Sequence, residues 1–262
     1  MNVLRGFVRN WAVFVGLVVV WQFATLSAGS PFFPPPTTIA DEAVELWFTG
    51  PASQMFLTDA VFADILPSLG RILGGWLLAV LFGVTAGVAL GRSRTGMAYV
   101  NALFAFFRAI PPPALVPVFM VLFGIDTTMK LATIVFGALW PILLNTVDGA
   151  RSVDQVKTDT ARAFRIPQHQ WILMVVIPVA LPKIFSGLRV SLSIALLLMV
   201  VSEMVGVTNG IGYQLRYAQD QFSFAAMWAW VLLLGVLGYV FNTLLLAAER
   251  RVLRWQPATF AA

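Results

Sequence analysis

Few side chains in this sequence have the types and spacing that covalent catalysis requires. There is no Cys, so a thiolate nucleophile, a disulfide and a Cys-based metal site are all excluded. The single His, His169, lies in a polar loop, and no hydrophobic stretch holds a nucleophile with a base beside it. The Lys157-Thr158 pair has no glycine-rich lead, so no phosphate-binding loop is present. The sequence therefore predicts noncovalent recognition rather than catalysis.

The densest cluster of charges lies between Asp148 and Lys183. Residues Asp159–Phe164 favour a helix, because a carboxylate in the first turn interacts well with the helix dipole. Ile166-Pro167 is expected to end it. Such a short exposed helix either docks to a soluble partner or is a structured loop without one. The apolar stretch Ile172–Leu181 is too short to cross a bilayer and is predicted to lie along the interface or under the bundle.

The elements that position this segment are membrane helices. Hydrophobic residues make up 59% of the 262 residues and charged residues 11%, against about 25% charged in soluble domains. The first apolar stretch, about 18 residues long, exceeds the ~7–15 residues of a signal peptide core, so we expect it to be retained. The prediction is one all-α, polytopic membrane domain over 1–262, with six spans at about 11–28, 72–90, 97–124, 128–147, 184–205 and 225–248.

The distribution of Lys and Arg predicts the orientation. With the N-terminus inside, fourteen of the 17 Lys and Arg residues lie on the inner side. Only Arg71, Lys130 and Arg216 remain outside, where they either anchor helices at the interface or attract an anion. We therefore expect both termini inside. The net charge of +5 is explained by this bias and does not indicate nucleic-acid binding.

Three spans contain unusual residues. Glycines four apart, such as Gly83 and Gly87, allow close helix approach within the bundle or at a subunit contact. Prolines between Pro111 and Pro117 break the third span, which is tolerated at membrane depth only beside protein or a water-filled cavity. Glu203 either lies at the headgroups or faces a path. The candidates for lining a translocation path are Arg108, Pro112, Pro117 and Glu203.

The long inner segment resembles the coupling-loop signature of permease subunits of ATP-binding-cassette (ABC) importers. That signature reads E-A-A, three residues, G, nine residues, I-x-L-P. Asp159-Thr160-Ala161 and Val175–Pro178 stand at its two ends with the spacing kept, and Arg165 stands at the glycine. Further short motifs are similar to the nitrate, sulfonate and taurine branch of this family: Phe33–Thr37, Ser68–Gly75, Leu90–Ser93, Arg108–Pro112 and Ser202–Met204.

This resemblance implies the type I ABC importer permease fold in a bacterial cytoplasmic (inner) membrane. It implies a second permease copy, two cytoplasmic ATP-binding subunits that hold ATP and Mg, and a substrate-binding protein outside. This chain would carry no cofactor and no catalytic site. The cargo would be a small anion such as a sulfonate, taurine or nitrate, or a small heterocycle. The coupling residues would be Asp159, Thr160, Ala161, Arg162, Ala163, Phe164, Arg165, Ile166 and Pro167.

Other classes of protein fit the sequence less well. An ion-coupled secondary transporter usually places ionisable groups at the centres of its spans, and none lies there. Sodium coupling through carbonyl oxygens remains open, as does a purely structural scaffold. A membrane enzyme lacks the nucleophile and base that it would need.

Overall fold

The computed structural model describes residues 2–206 and 208–255, and these residues form helices joined by short connections. Within these ranges, five helices are long and apolar enough to cross a membrane, and one sharply bent pair raises the number to as many as six. The eleven α-helices within the described residues are α1 (Asn2–Ala28), α2 (Pro36–Phe48), α3 (Leu66–Gly91), α4 (Arg94–Ala109), α5 (Val116–Phe123), α6 (Thr127–Arg151), α7 (Gln155–Ala163), α8 (Gln168–Trp171), α9 (Ile177–Glu203), α10 (Ile211–Asp220) and α11 (Phe224–Val252).

The described residues divide into two compact units, one of 2–67 with 208–235 and one of 68–206 with 236–255. In the first unit, the Gln22 side-chain amide donates to Thr37 Oγ1 at 3.0 Å and so ties α1 to α2. The rings of Trp47 and Trp230 meet edge to face at 5.4 Å. The prediction of one domain over 1–262 stays a prediction.

The second unit is built on the close packing of α3, α6 and α9. A Cβ atom added at Gly87 would lie 2.5 Å from Thr146 Cβ, so only glycine permits this approach. Gly83 and Gly91 approach α6 in the same way, which places these glycines in contacts within the chain. On the other side of α6, a Cβ atom at Gly187 of α9 would lie 2.8 Å from the Pro141 carbonyl oxygen.

The third predicted span is indeed broken. Helix α4 ends at Ala109, a 3₁₀ turn follows at Pro112–Leu115, and α5 leaves at 84° to α4. Pro112 and Pro117 each stand at the start of their helical segment, where the missing N–H costs no internal hydrogen bond.

The apolar stretch Ile172–Leu181 is not a separate piece of chain, and its predicted position along the interface or under the bundle stays a prediction. A π-helical turn, Ile172–Val176, joins α8 to α9, and one helix therefore runs from Gln168 to Glu203. Val176 is buried against Val88 and Ala150, so the segment packs on the protein core. Pro178 is the second residue after the π turn, which already interrupts the regular hydrogen-bond ladder, and it does not end the helix.

Candidate functional site

Helix α7 is a short polar helix that begins with a side-chain cap. The Asp154 carboxylate accepts a hydrogen bond from the Val156 N–H at 3.2 Å. Further along, Asp159 accepts from the Gln155 amide at 3.0 Å and lies 3.5 Å from Arg162. Both members of this ion pair are exposed, so it contributes little to stability. The helix thus holds itself together by local contacts and leaves its surface available.

The turn after α7 explains how Arg165 replaces glycine in the coupling signature. Arg165 has φ +52°, the left-handed conformation that glycine adopts without strain. The Ile166 N–H donates to the Ala161 carbonyl at 2.9 Å and the Arg165 N–H to the Arg162 carbonyl at 3.1 Å. These two bonds define a Schellman motif, so the glycine geometry is kept and a bulky residue occupies it.

The nine predicted coupling residues form one continuous feature, α7 with its C-terminal turn. Ala161 is buried and fixes the helix to the protein. Phe164 is 78% exposed and Ile166 is partly exposed, an unusual position for large apolar side chains in a polar segment. The Thr160 hydroxyl donates a hydrogen bond to the Val156 carbonyl oxygen. Ala163 and Pro167 are exposed beside Phe164.

A buried charge cluster joins the opposite ends of α3 and α9. Glu203 is fully buried and accepts hydrogen bonds from Arg71 at 2.6 Å and from the Ser68 hydroxyl at 2.8 Å. Lys130, on the first turn of α6, is 3% exposed and lies close enough to Arg71 and Glu203 for their charges to interact. The sequence placed Arg71 and Lys130 at the outer interface, whereas the structure buries both.

The other three path candidates lie around the bend between α4 and α5. Arg108 is exposed in the last turn of α4, and Pro117 is exposed in the first turn of α5. Pro112 is half-buried beside Gly137 of α6, where an added Cβ would meet its ring at 3.2 Å. Their part in a solute path stays a prediction.

Sequence reasoning missed the partners of Glu203 and a second buried carboxylate. Asp64, in the π-helical turn before α3, accepts hydrogen bonds from the Gly210 N–H at 2.8 Å and the Gln214 amide at 2.7 Å. It thereby holds the start of α10. The sequence did contain a sign of the cluster around Glu203. Two cations, Arg71 and Lys130, and the carboxylate of Glu203 lie at the predicted outer ends of three spans.

The long apolar helices define a polytopic α-helical membrane protein, and α7 is a short, exposed polar helix within it. The sequence profile of the family described as binding-protein-dependent transport system inner membrane component matches residues 79–254. The chain belongs to this family.

Two similar relatives are transport permeases. The chain is 30% identical over 240 residues to the taurine transport system permease protein TauC of Escherichia coli, which covers 91% of this chain and 86% of TauC. It is 30% identical over 255 residues to the bicarbonate transport system permease protein CmpB of Synechococcus elongatus, which covers 96% of this chain and 91% of CmpB.

The fold is also that of a solved ABC transporter chain. A chain of the MetNI methionine ABC transporter, in an inward-facing conformation, superposes with a TM-score of 0.64 at 18% identity. The match covers 78% of this chain and 99% of that chain. A second crystal form matches with a TM-score of 0.60 at 22% identity. The chain therefore has the type I ABC importer permease fold.

Proposed function

We propose that this chain is the membrane-spanning, non-catalytic subunit of an ATP-driven importer, and that α7 with its turn is the part that an ATP-binding subunit grips. The observation that carries the proposal is the exposed Phe164 on a helix whose Ala161 is buried against the rest of the chain. Because the buried Ala161 holds α7 against the rest of the chain, the exposed Phe164 side chain is available to fill a groove on a soluble partner.

Only short connecting segments join α7 to the long helices before and after it. Arg151 is the last residue of α6, and α7 begins four residues later at Gln155. On the other side, four residues connect Ala163 to the long helix that starts at Gln168. A displacement of α7 therefore bears directly on α6 and α9, which pack through Gly187. Closely packed helices shift between discrete arrangements rather than deform gradually.

The partners follow from this role. Two copies of this chain would form the pore, two ATP-binding subunits would hold ATP and Mg, and a substrate-binding protein would deliver the solute on the opposite face in a bacterial inner membrane. The names of TauC and CmpB indicate taurine and bicarbonate as cargo of those proteins. Both solutes carry an acidic oxygen group, which supports a small oxyanion as the cargo of this chain.

Charge reversal at Arg162 tests the coupling role. The variant Arg162→Glu, combined with Phe164→Ala, should reduce co-purification of the cognate ATP-binding subunit at least about tenfold, since a buried interface aromatic contributes roughly 2 kcal/mol or more. Lys183→Glu, which reverses an exposed charge on α9, is the matched control. Unchanged association and transport in the double variant would contradict the assignment. ATP-independent transport by the purified chain alone would contradict the importer itself.

A further inference from the structure

A cleft lined by arginines separates α7 from the ends of α3 and α6. Two adjoining cavities of about 300 Å³ and 810 Å³ share Arg92, Thr158 and Arg162 as walls. Arg165 lines the smaller cavity and Arg151 the larger. None of the described residues that line either cavity is acidic. We call this feature the arginine cleft, and its volume lies in the range of small-molecule sites.

Arg92 is held in place by neutral groups. Its guanidinium lies 5.8 Å from the centre of the Trp171 ring and 3.5 Å from the Ala150 carbonyl oxygen. Both contacts orient the side chain while leaving its positive charge uncompensated. Among the described residues, Arg92, Arg151 and Arg165 form no ion pair within 4.0 Å, and Arg162 has only the exposed Asp159. Four arginines thus line the cleft, and only Arg162 among them has an ion-pair partner within 4.0 Å in the part of the chain that the structure describes.

Such an arrangement is suited to one chemical group. An arginine presents a planar fork of donors that matches the oxygens of a phosphate, and several forks can share its three or more oxygens. The Gln168 amide adds a neutral donor at the wall of the smaller cavity. We propose that the arginine cleft binds a phosphate group, which bridges α7 to the C-terminal ends of α3 and α6.

Two sources could supply this phosphate. Trp171 lines the smaller cavity, and the next helical turn exposes Leu173 and Met174, as expected where a phospholipid headgroup meets its acyl chains. The alternative source is free phosphate from the aqueous side. In both cases the ligand replaces the missing counter-charge and restrains α7. Arg162 and Arg165 also belong to the proposed docking surface for the ATP-binding subunit, whereas Arg92 and Arg151, which the test changes, do not.

The test uses the full-length chain in lipid nanodiscs and two probes. In one arm, discs of phosphatidylcholine are titrated with radiolabelled inorganic phosphate at constant ionic strength. In the other arm, discs with phosphatidylglycerol are analysed by native mass spectrometry for retained anionic lipid. Arg92→Gln and Arg151→Gln should each weaken binding of the true ligand at least about tenfold, because each removes a charge-assisted contact.

Lys157→Gln is the matched control, since it removes the same charge from α7 but Lys157 lines neither cavity. It should change binding less than about twofold, as expected for a screened surface charge. Arg92→Lys, which keeps the charge and loses the fork, should fall between Arg92→Gln and the unaltered chain. If Arg92→Gln fails to fold, the binding measured with Arg151→Gln tests the proposal instead.

Retention of phosphatidylglycerol would identify a lipid headgroup as the ligand. Binding of inorganic phosphate in phosphatidylcholine discs would identify a free ion. Either result supports the proposal if Arg92→Gln and Arg151→Gln weaken that binding. Absence of binding in both arms would overturn the proposal. Equal losses in Lys157→Gln and Arg92→Gln would also overturn it, because they would show diffuse attraction by the basic surface.

Discussion

The Arg71 guanidinium donates to the Glu203 carboxylate at 2.6 Å and so links the N-terminal part of α3 to the last residue of α9. Both side chains are more than nine-tenths buried. The desolvation of two charges is repaid only when their remaining hydrogen-bonding capacity is used, and the Ser68 hydroxyl supplies part of it. The pair is therefore a fixed connection between two membrane helices, 132 residues apart in sequence.

Removal of the carboxylate should be costly. Glu203→Ala removes the ion-pair partner of the buried Arg71 and a carboxylate near the buried Lys130, and we expect a loss of about 3–5 kcal/mol in the free energy of unfolding. Glu249→Ala removes the partner of Arg189 in a more exposed pair and should cost less than about 1 kcal/mol. Reversible unfolding in mixed micelles measures both. Similar losses in the two variants would show that the buried ion pair contributes no more to stability than the more exposed one.

The glycines of α3 should respond to alanine according to what lies next to them. Gly87→Ala forces a Cβ to 2.5 Å from Thr146 Cβ and 3.0 Å from the Leu143 carbonyl oxygen. We expect a loss of about 1–3 kcal/mol from overpacking. The Cβ atom that Gly70→Ala adds would have no neighbouring atom within 4 Å. This variant should be neutral or up to about 1 kcal/mol more stable, because alanine favours the helix.

Thermal unfolding of the purified chain compares these two variants with the unaltered protein. Equal midpoints for Gly87→Ala and the unaltered chain would refute the close approach of α3 and α6. A large loss for Gly70→Ala would reveal a partner, such as a second copy, on that face of α3.

The sequence predicted features that depend on local physical chemistry. The bend in the third span followed from the prolines at Pro112 and Pro117, and α7 followed from helix-forming residues in a charged segment. Both depend on contacts among near neighbours. The long helix through Pro178 was missed because Ile172–Leu181 was counted as a short apolar stretch of its own, whereas the π turn before Pro178 accommodates the missing donor.

The long-range contacts were not predictable in the same way. Glu203 could face lipid headgroups, a path or another helix, and only the folded arrangement brings it to Arg71 and Ser68. The same holds for Lys130, whose position at the end of a span is typical of an interface anchor but which is buried here. A period of 3.6 residues defines a face of a helix and does not specify which helix covers it.

Arg165 should carry measurable backbone strain. A non-glycine residue in the left-handed region costs about 1 kcal/mol, so Arg165→Gly should strengthen the turn after α7 by roughly that amount. Amide hydrogen exchange at Ile166, which donates to Ala161, reports the opening of this turn. Arg165→Ala is the control, because it removes the side chain and keeps the strain. Equal protection in both variants would attribute the effect to the side chain instead.

Asp64 should hold the start of α10 by its two hydrogen bonds. Asp64→Ala leaves the Gly210 N–H and the Gln214 amide without this acceptor, and each lost bond to a charged group is worth about 1.5–3 kcal/mol. We expect exchange of the α10 amides to rise at least about tenfold. Asp220→Ala, at the other end of α10, removes only an exposed partner 3.6 Å from Arg216 and should change exchange less than about threefold. Unchanged protection in Asp64→Ala would mean that α10 is held by its buried residue Ile211 and not by the carboxylate.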